Sequence, residues 1–255
     1  KRKLPSMYHQ FKQLADLDIT EEPMEVGPTT HYAMGGVRVE SDSQMTTVPG
    51  LFAAGECATG LHGANRLGGN SLSDLVVFGQ RAGEYAVQYV KEQGGVNVAD
   101  GDVEAAARDA LAPFDRDPAG ESPFHVQYAL QDMMQEKVGI IRTESELDEA
   151  LDALQELKAR ANKAAVQGNR EWNAGWHTSI ELRSLMTVSE AIARAARERT
   201  ESRGAHTRDD HAGKNPEWGK YNLILKKGEN GDMEIRKEEI PPIPDELKQI
   251  IEEQG

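Results

Sequence analysis

The chain has 255 residues, enough for one or two ordinary domains, and its 28% charged and 38% apolar content is that of a water-soluble globular protein. Its 29 Lys and Arg stand against 43 Asp and Glu, and the net charge of -14 argues against wrapping nucleic acid or lying on an anionic membrane. No run of 18 apolar residues predicts a bilayer-spanning helix, and the single cysteine, Cys57, excludes an internal disulfide or a cysteine-ligated iron–sulfur cluster within these residues.

The chain opens Lys1-Arg2-Lys3, without an initiator methionine or a signal-peptide pattern. A helix is predicted around Ser6–Leu17, ended before Pro23. Gly35-Gly36, an alternating Val37-Arg38-Val39 and a turn at Val48-Pro49-Gly50 follow. The apolar run Leu51–Ala54, stopped by Gly55, reads as a buried strand. A glycine-rich loop over 55–69 then leads into a helix opening at Asn70 and Ser71 and running to about Glu92. Leu72, Leu75, Val76 and Gly79 share one face of it, and Gly79 and Gly83 would allow a close backbone approach.

The middle of the chain is helical. Ser122-Pro123 reads as an N-cap and first helical residue, followed by Val126, Leu130, Met133 and Met134 at helical spacing. Thr143-x-x-Glu146 is a capping box ahead of Leu147, Ala150, Leu151 and Leu154. A third helix over about Thr178–Ser202 carries Leu182, Leu185, Met186 and Ile192, which predicts an antiparallel bundle. Trp172, Trp176 and His177, just before it, read as packing residues. Asp209–Glu217 is a loop, and Tyr221–Lys226 and Met233–Arg236 pair as a hairpin across Gly228–Gly231. The extended Pro241–Pro244 precedes a short acidic helix.

Three positions invite chemistry. Glu56, at the carboxyl end of the predicted strand, is either an acceptor for sugar or ribitol hydroxyls or an ordinary surface carboxylate. Arg66, among small residues before a helix start, could grip a carboxylate with both nitrogens or simply be solvated. His31 could donate to a carboxylate or be a plain loop histidine. Cys57 lacks a second cysteine and reads as a small buried residue beside the loop. His206 and His211 alone make no metal site, and no metal is expected.

The strings Thr30-His31-Tyr32-x-Met34-Gly35-Gly36, Pro49–Glu56 and His62-Gly63-Ala64-Asn65-Arg66-Leu67-Gly68-Gly69-Asn70-Ser71-Leu72 resemble the flavoprotein subunit of succinate dehydrogenase and fumarate reductase. Phe78–Gly83 and Glu201-Ser202-Arg203-Gly204-Ala205-His206 extend the resemblance, in the order of that family's C-terminal half. It implies an α/β plus all-α architecture. Residues 1–97 would be the C-terminal part of a Rossmann-like FAD-binding domain, with a return segment from a capping domain. Residues 98–205 would be the helical bundle and 206–255 a small β and extended tail.

It also implies that Glu56, Ser71 and Leu72 bind FAD, and that His31, Arg66 and the Gly69 backbone bind a C4 dicarboxylate. The family's G-x-G-x-x-G fingerprint, its flavin-linking histidine and its proton-transfer arginine have no counterpart here and are expected upstream of Lys1. No catalytic residue is therefore assigned within these 255. The resemblance further implies an iron–sulfur subunit, membrane anchor subunits and indirect reduction of quinone, with the protein peripheral on the cytoplasmic face of the membrane. An L-aspartate oxidase-like flavoenzyme shares the His62–Leu72 string and is the alternative. As an isolated piece, the chain is expected to be an inactive helical domain.

Overall fold

The computed structural model describes residues 3–27, 31–95 and 97–254 and divides the chain into two units, Lys1–His31 and Tyr32–Gly255. Thr30, the first residue of the family string, lies outside the described residues. In the first unit α1 spans Pro5–Ala15, where Pro5 presets the first turn, and it stops at Asp16 in a left-handed conformation. Asp18 then ties the next turn by accepting from the Thr20 N–H.

The second unit begins with 37–59, where the predicted buried strand 51–54 does not form. Phe52 makes a single antiparallel bridge to Met45, Ala53 donates to the Gln44 carbonyl, and Leu51 is 52% exposed. A buried strand needs neighbours on both edges, and among the described residues only the 44–46 segment pairs with it. Gly36 is required where this segment crosses Cys57: a Cβ there would stand 2.5 Å from the Cys57 carbonyl oxygen.

Helix α2 (Asn70–Gln93) starts at the predicted residue, after Gly69. Its predicted apolar face is open: Leu72 is 73% exposed, Leu75 and Val76 are exposed as well, and a Cβ added at Gly79 or Gly83 would meet nothing within 4 Å beyond its own helix among the described residues. The expected close approach at the two glycines is therefore absent among the described residues. Helix α3 (Asp100–Leu111), which the sequence reading passed over, leads to a 3-10 turn at Ala112–Asp115.

The core lies where α4 (Pro123–Lys137), α5 (Glu144–Ala161) and α6 (Ala174–Glu198) pack on one another. Val126, Leu130, Leu147, Ala150, Leu154, Leu182 and Met186 are buried there, with Met133, Met134 and Leu151 against them, as the helical spacing predicts. Leu185 and Ile192 are exposed instead. At 100° per residue the inward stripe of α6 is 182, 186, 189, 193 and 196, and 185 and 192 fall at its edge. The capping box at Thr143 is complete, with Glu146 donating its N–H to the Thr143 hydroxyl and its carboxylate accepting from the Thr143 N–H. Ser122 makes no side-chain cap.

Helix α6 begins four residues early because the Asn173 side chain caps it, accepting from the Trp176 N–H. Trp176 and His177 are thus in its first turn. Trp176 is part-buried and donates from its indole to the Ala110 carbonyl, whereas Trp172 is 99% exposed and is not a packing residue among those described. Strands β1 (Ile141–Arg142) and β2 (Thr207–Arg208) form a two-residue parallel ladder. The hairpin of β3 (Tyr221–Lys227) and β4 (Met233–Glu239) forms as predicted, in register Leu223 to Lys237, and α7 (Asp245–Gln254) closes the described chain. No described helix is long and apolar enough to cross a membrane.

Candidate functional site

Five of the six predicted site residues fall between 56 and 72, at the start of α2. Gly69 is the N-cap, with φ +86°, a conformation that disfavours a side chain, and so no side chain caps this helix. The first turn carries no acidic residue either. The amides of the first turn, Ser71 and Leu72 included, therefore meet no side-chain cap, and the helix dipole adds partial positive charge at the same end. Such an end receives a carbonyl or an anion.

Arg66 reaches back over the Tyr32 ring, its guanidinium carbon 4.3 Å from the ring centroid. Its Nε is buried and finds no acceptor among the described residues. Tyr32 meets His62 edge-to-face at 5.7 Å, and His62 Nε2 lies 3.1 Å from Asp74 Oδ2 on α2. Burial pushes the Tyr32 phenol above its ordinary value, and the carboxylates of Asp74 and Glu56 push the same way. Glu56 is exposed in the 3-10 turn Gly55–Cys57 and accepts from the Ala33 N–H at 2.9 Å through Oε1. Its other oxygen meets no donor among the described residues.

The loop bearing Arg66 is held from the far end of the sequence. The Ala205 N–H donates to the Ala64 carbonyl at 3.0 Å, and Gly204, at φ +60°, passes so close that a Cβ would lie 2.5 Å from the Ala64 carbonyl carbon. The 203–206 turn is closed by reciprocal backbone bonds between Arg203 and His206. Its root is Glu201, whose side chain is fully buried between Arg199 and Arg203 and also accepts from the Asn215 N–H. Those donors outweigh burial and hold its carboxyl down at about 2. Arg208, also fully buried, pairs with Asp210 and donates to the Ala196 and Arg197 carbonyls. His206 donates from Nε2 to the Arg199 carbonyl and accepts at Nδ1 from Arg142; burial, then the neighbouring arginines, holds it below its ordinary value.

Outside this region the structure revises several expectations. His31 is exposed and ends the first unit, so its assignment rests on the motif alone. Cys57 is exposed, not buried, because the 3-10 turn lifts it outward. Glu144, Asp210 and His211 lie within 4.8 Å of one another, but Arg197 already pairs with Glu144 and Arg208 with Asp210. The sequence reading missed Tyr32 and Asp74 and gave His62 no role. The available signal was Asp74 itself, an acidic residue among the apolar residues of α2, and it is the one residue described as buried in that helix.

The chain is similar to known proteins over most of its length. A model of the FAD binding domain matches residues 1–72, and one of the fumarate reductase flavoprotein C-terminal region matches 127–248. The fumarate reductase flavoprotein subunit of Haemophilus influenzae is 39% identical over 214 residues, 82% of this chain and 35% of that protein. The succinate dehydrogenase flavoprotein subunit of Coxiella burnetii is 36% identical over 89% of this chain and 41% of its own length. Among solved structures, Sdh1 of Mycobacterium smegmatis in complex with UQ1 superposes with a TM-score of 0.89 at 48% identity, covering 99% of this chain and 43% of that one. The chain spans less than half the length of these relatives.

The match over 1–72 and the flavoprotein relatives define a flavoprotein of the FAD-binding class. Within that class, the chain belongs to the succinate dehydrogenase and fumarate reductase flavoprotein family.

Proposed function

We propose that this chain is the part of a flavoprotein subunit that grips a C4 dicarboxylate and closes one side of its FAD site, in an enzyme interconverting succinate and fumarate. The observation that carries the reading is Arg66, stacked on Tyr32 and set three residues before the uncapped N-terminus of α2. A guanidinium fixed by a ring rather than by an acid keeps its nitrogens for a ligand carboxylate. The residues also suit the cofactor. The Ser71 and Leu72 amides suit a carbonyl or anionic edge of a flavin ring, and the open oxygen of Glu56 suits a ribitol hydroxyl.

When bound, FAD supplies the hydride acceptor, which the side chains of this chain do not provide. The chain's own part is positional. Arg66, with the Gly69 backbone three residues on, would hold a carboxylate so that the substrate C–H is presented in one orientation, and the family motif assigns His31 as a further carboxylate donor. The α2 N-terminus favours the negative charge that gathers on a reduced flavin. In the Rossmann-like reading, residues 1–97 belong to the FAD domain and 98–205 to the bundle, with 206–255 the tail. The same reading places the electrons' onward route in an iron–sulfur subunit and a membrane anchor that reduces quinone, with this chain peripheral on the cytoplasmic face.

In the purified flavoprotein, Arg66→Ala should abolish succinate-dependent turnover while flavin stays bound; retained turnover removes Arg66 from the site. Malonate should compete with the substrate and aspartate analogues should not. The reverse pattern would favour the L-aspartate oxidase reading, which the fumarate reductase match over 127–248 does not favour.

A further inference from the structure

The start of α2 holds a buried carboxylate–imidazole contact that the proposed function does not use. Asp74 and His62 retain only 6% and 10% side-chain exposure, and their contact at 3.1 Å is the single partner described for the Asp74 carboxylate. A buried carboxylate with one partner is costly unless that bond is kept. The contact from His62 Nε2 to the Asp74 carboxylate holds the plane of the imidazole. The fixed imidazole packs edge-to-face on Tyr32 at 81°, and Tyr32 in turn lies under the Arg66 guanidinium. Arg66 Nε has no acceptor among the described residues, so the ring, not a hydrogen bond, sets the plane of the guanidinium.

We propose that Asp74, His62 and Tyr32 form a column of positioning residues that aims Arg66 at the ligand carboxylate. This deepens the reading above and rests on Arg66 taking that carboxylate. Asp74 lies eight residues beyond Arg66 on α2, so the helix that starts at the proposed flavin edge also sets the aim of the dicarboxylate clamp. The buried acid then has a use that packing alone does not supply. Tyr32 serves as a platform, which predicts that its ring matters and its hydroxyl does not.

The test is calorimetric titration of the whole flavin-loaded flavoprotein subunit containing this chain with malonate, a dicarboxylate with no two-carbon bridge to dehydrogenate. Flavin content and melting temperature are recorded for each variant. Tyr32→Leu should weaken malonate about tenfold, the scale of a desolvated cation–π contact, and Tyr32→Phe should stay within about twofold of the parent. Asp74→Asn and His62→Gln should each weaken it several-fold, and the double variant should be no worse than the poorer single one, since they break one chain of contacts. Unchanged affinity in Tyr32→Leu and Asp74→Asn, with Arg66→Met abolishing binding, overturns the column but leaves Arg66 in place. Equal losses in Tyr32→Phe and Tyr32→Leu also overturn it. Unchanged affinity in Arg66→Met overturns the assignment of Arg66 and the column with it.

Discussion

Gly204→Ala probes how the bundle side of the chain holds the Arg66 loop. The added Cβ would stand 2.5 Å from the Ala64 carbonyl carbon and closer still to its oxygen, so backbone must move, not a flexible side-chain tip. Residue 204 also sits at φ +60°, where an L side chain costs about 1–2 kcal/mol. Displacing Ala64 breaks the Ala205 N–H bond to its carbonyl, worth about 1 kcal/mol. With the overlap itself, the loss is about 3 kcal/mol, or about 6–12 °C in melting temperature for a domain of this size. Thermal melts of the flavin-loaded protein measure it, with malonate affinity as the second readout because Ala64 is two residues from Arg66. Gly79→Ala is the control: that glycine is helical with open space around it, and alanine there should stabilise by about 0.5–1 kcal/mol. A Gly204→Ala protein that melts with the parent and binds malonate equally well would refute the clamp.

Glu201 predicts an acid transition. Its carboxyl is held at about 2, below the value of an unfolded glutamate, so the stability it contributes is complete above the unfolded value and is lost as pH falls through about 2. Glu201→Gln should remove about 3 kcal/mol at neutral pH, leave Arg199 and Arg203 without their anion, and flatten the acid limb of a pH–melting curve. Leu154→Ala, at a fully buried core position, should cost about 2–5 kcal/mol in denaturant titration without changing malonate affinity. Thr143→Ala removes the capping box and should cost about 1 kcal/mol in the same titration.

The helical half was legible because its signals are local. The Thr143 box, the Leu147–Leu154 stripe and the Tyr221–Lys227 hairpin each follow from a few neighbouring residues. Helix α6 begins early because Asn173, a cap five residues before Thr178, outweighs the apolar period that starts at Thr178. The 51–54 run failed as a buried strand because apolar residues specify a strand only where neighbours exist to pair with it. Arg66, Gly69 and Ser71 stand in one unbroken string that draws the eye, whereas no local signal joins Tyr32 to Asp74. Their meeting at His62 joins residues 42 positions apart, and no local period records such a contact. The clasp of Gly204 on Ala64 is longer still in sequence, so the Glu201–His206 string matched the family without revealing its task.

The central claim is that Arg66 holds a dicarboxylate against a bound flavin, and anaerobic mixing of the whole FAD-loaded flavoprotein subunit containing this chain with succinate tests it most directly. The account predicts that succinate bleaches the flavin's visible absorbance in the parent and leaves it unchanged in Arg66→Ala at equal flavin content. Bleaching of Arg66→Ala at the parent's rate would contradict it.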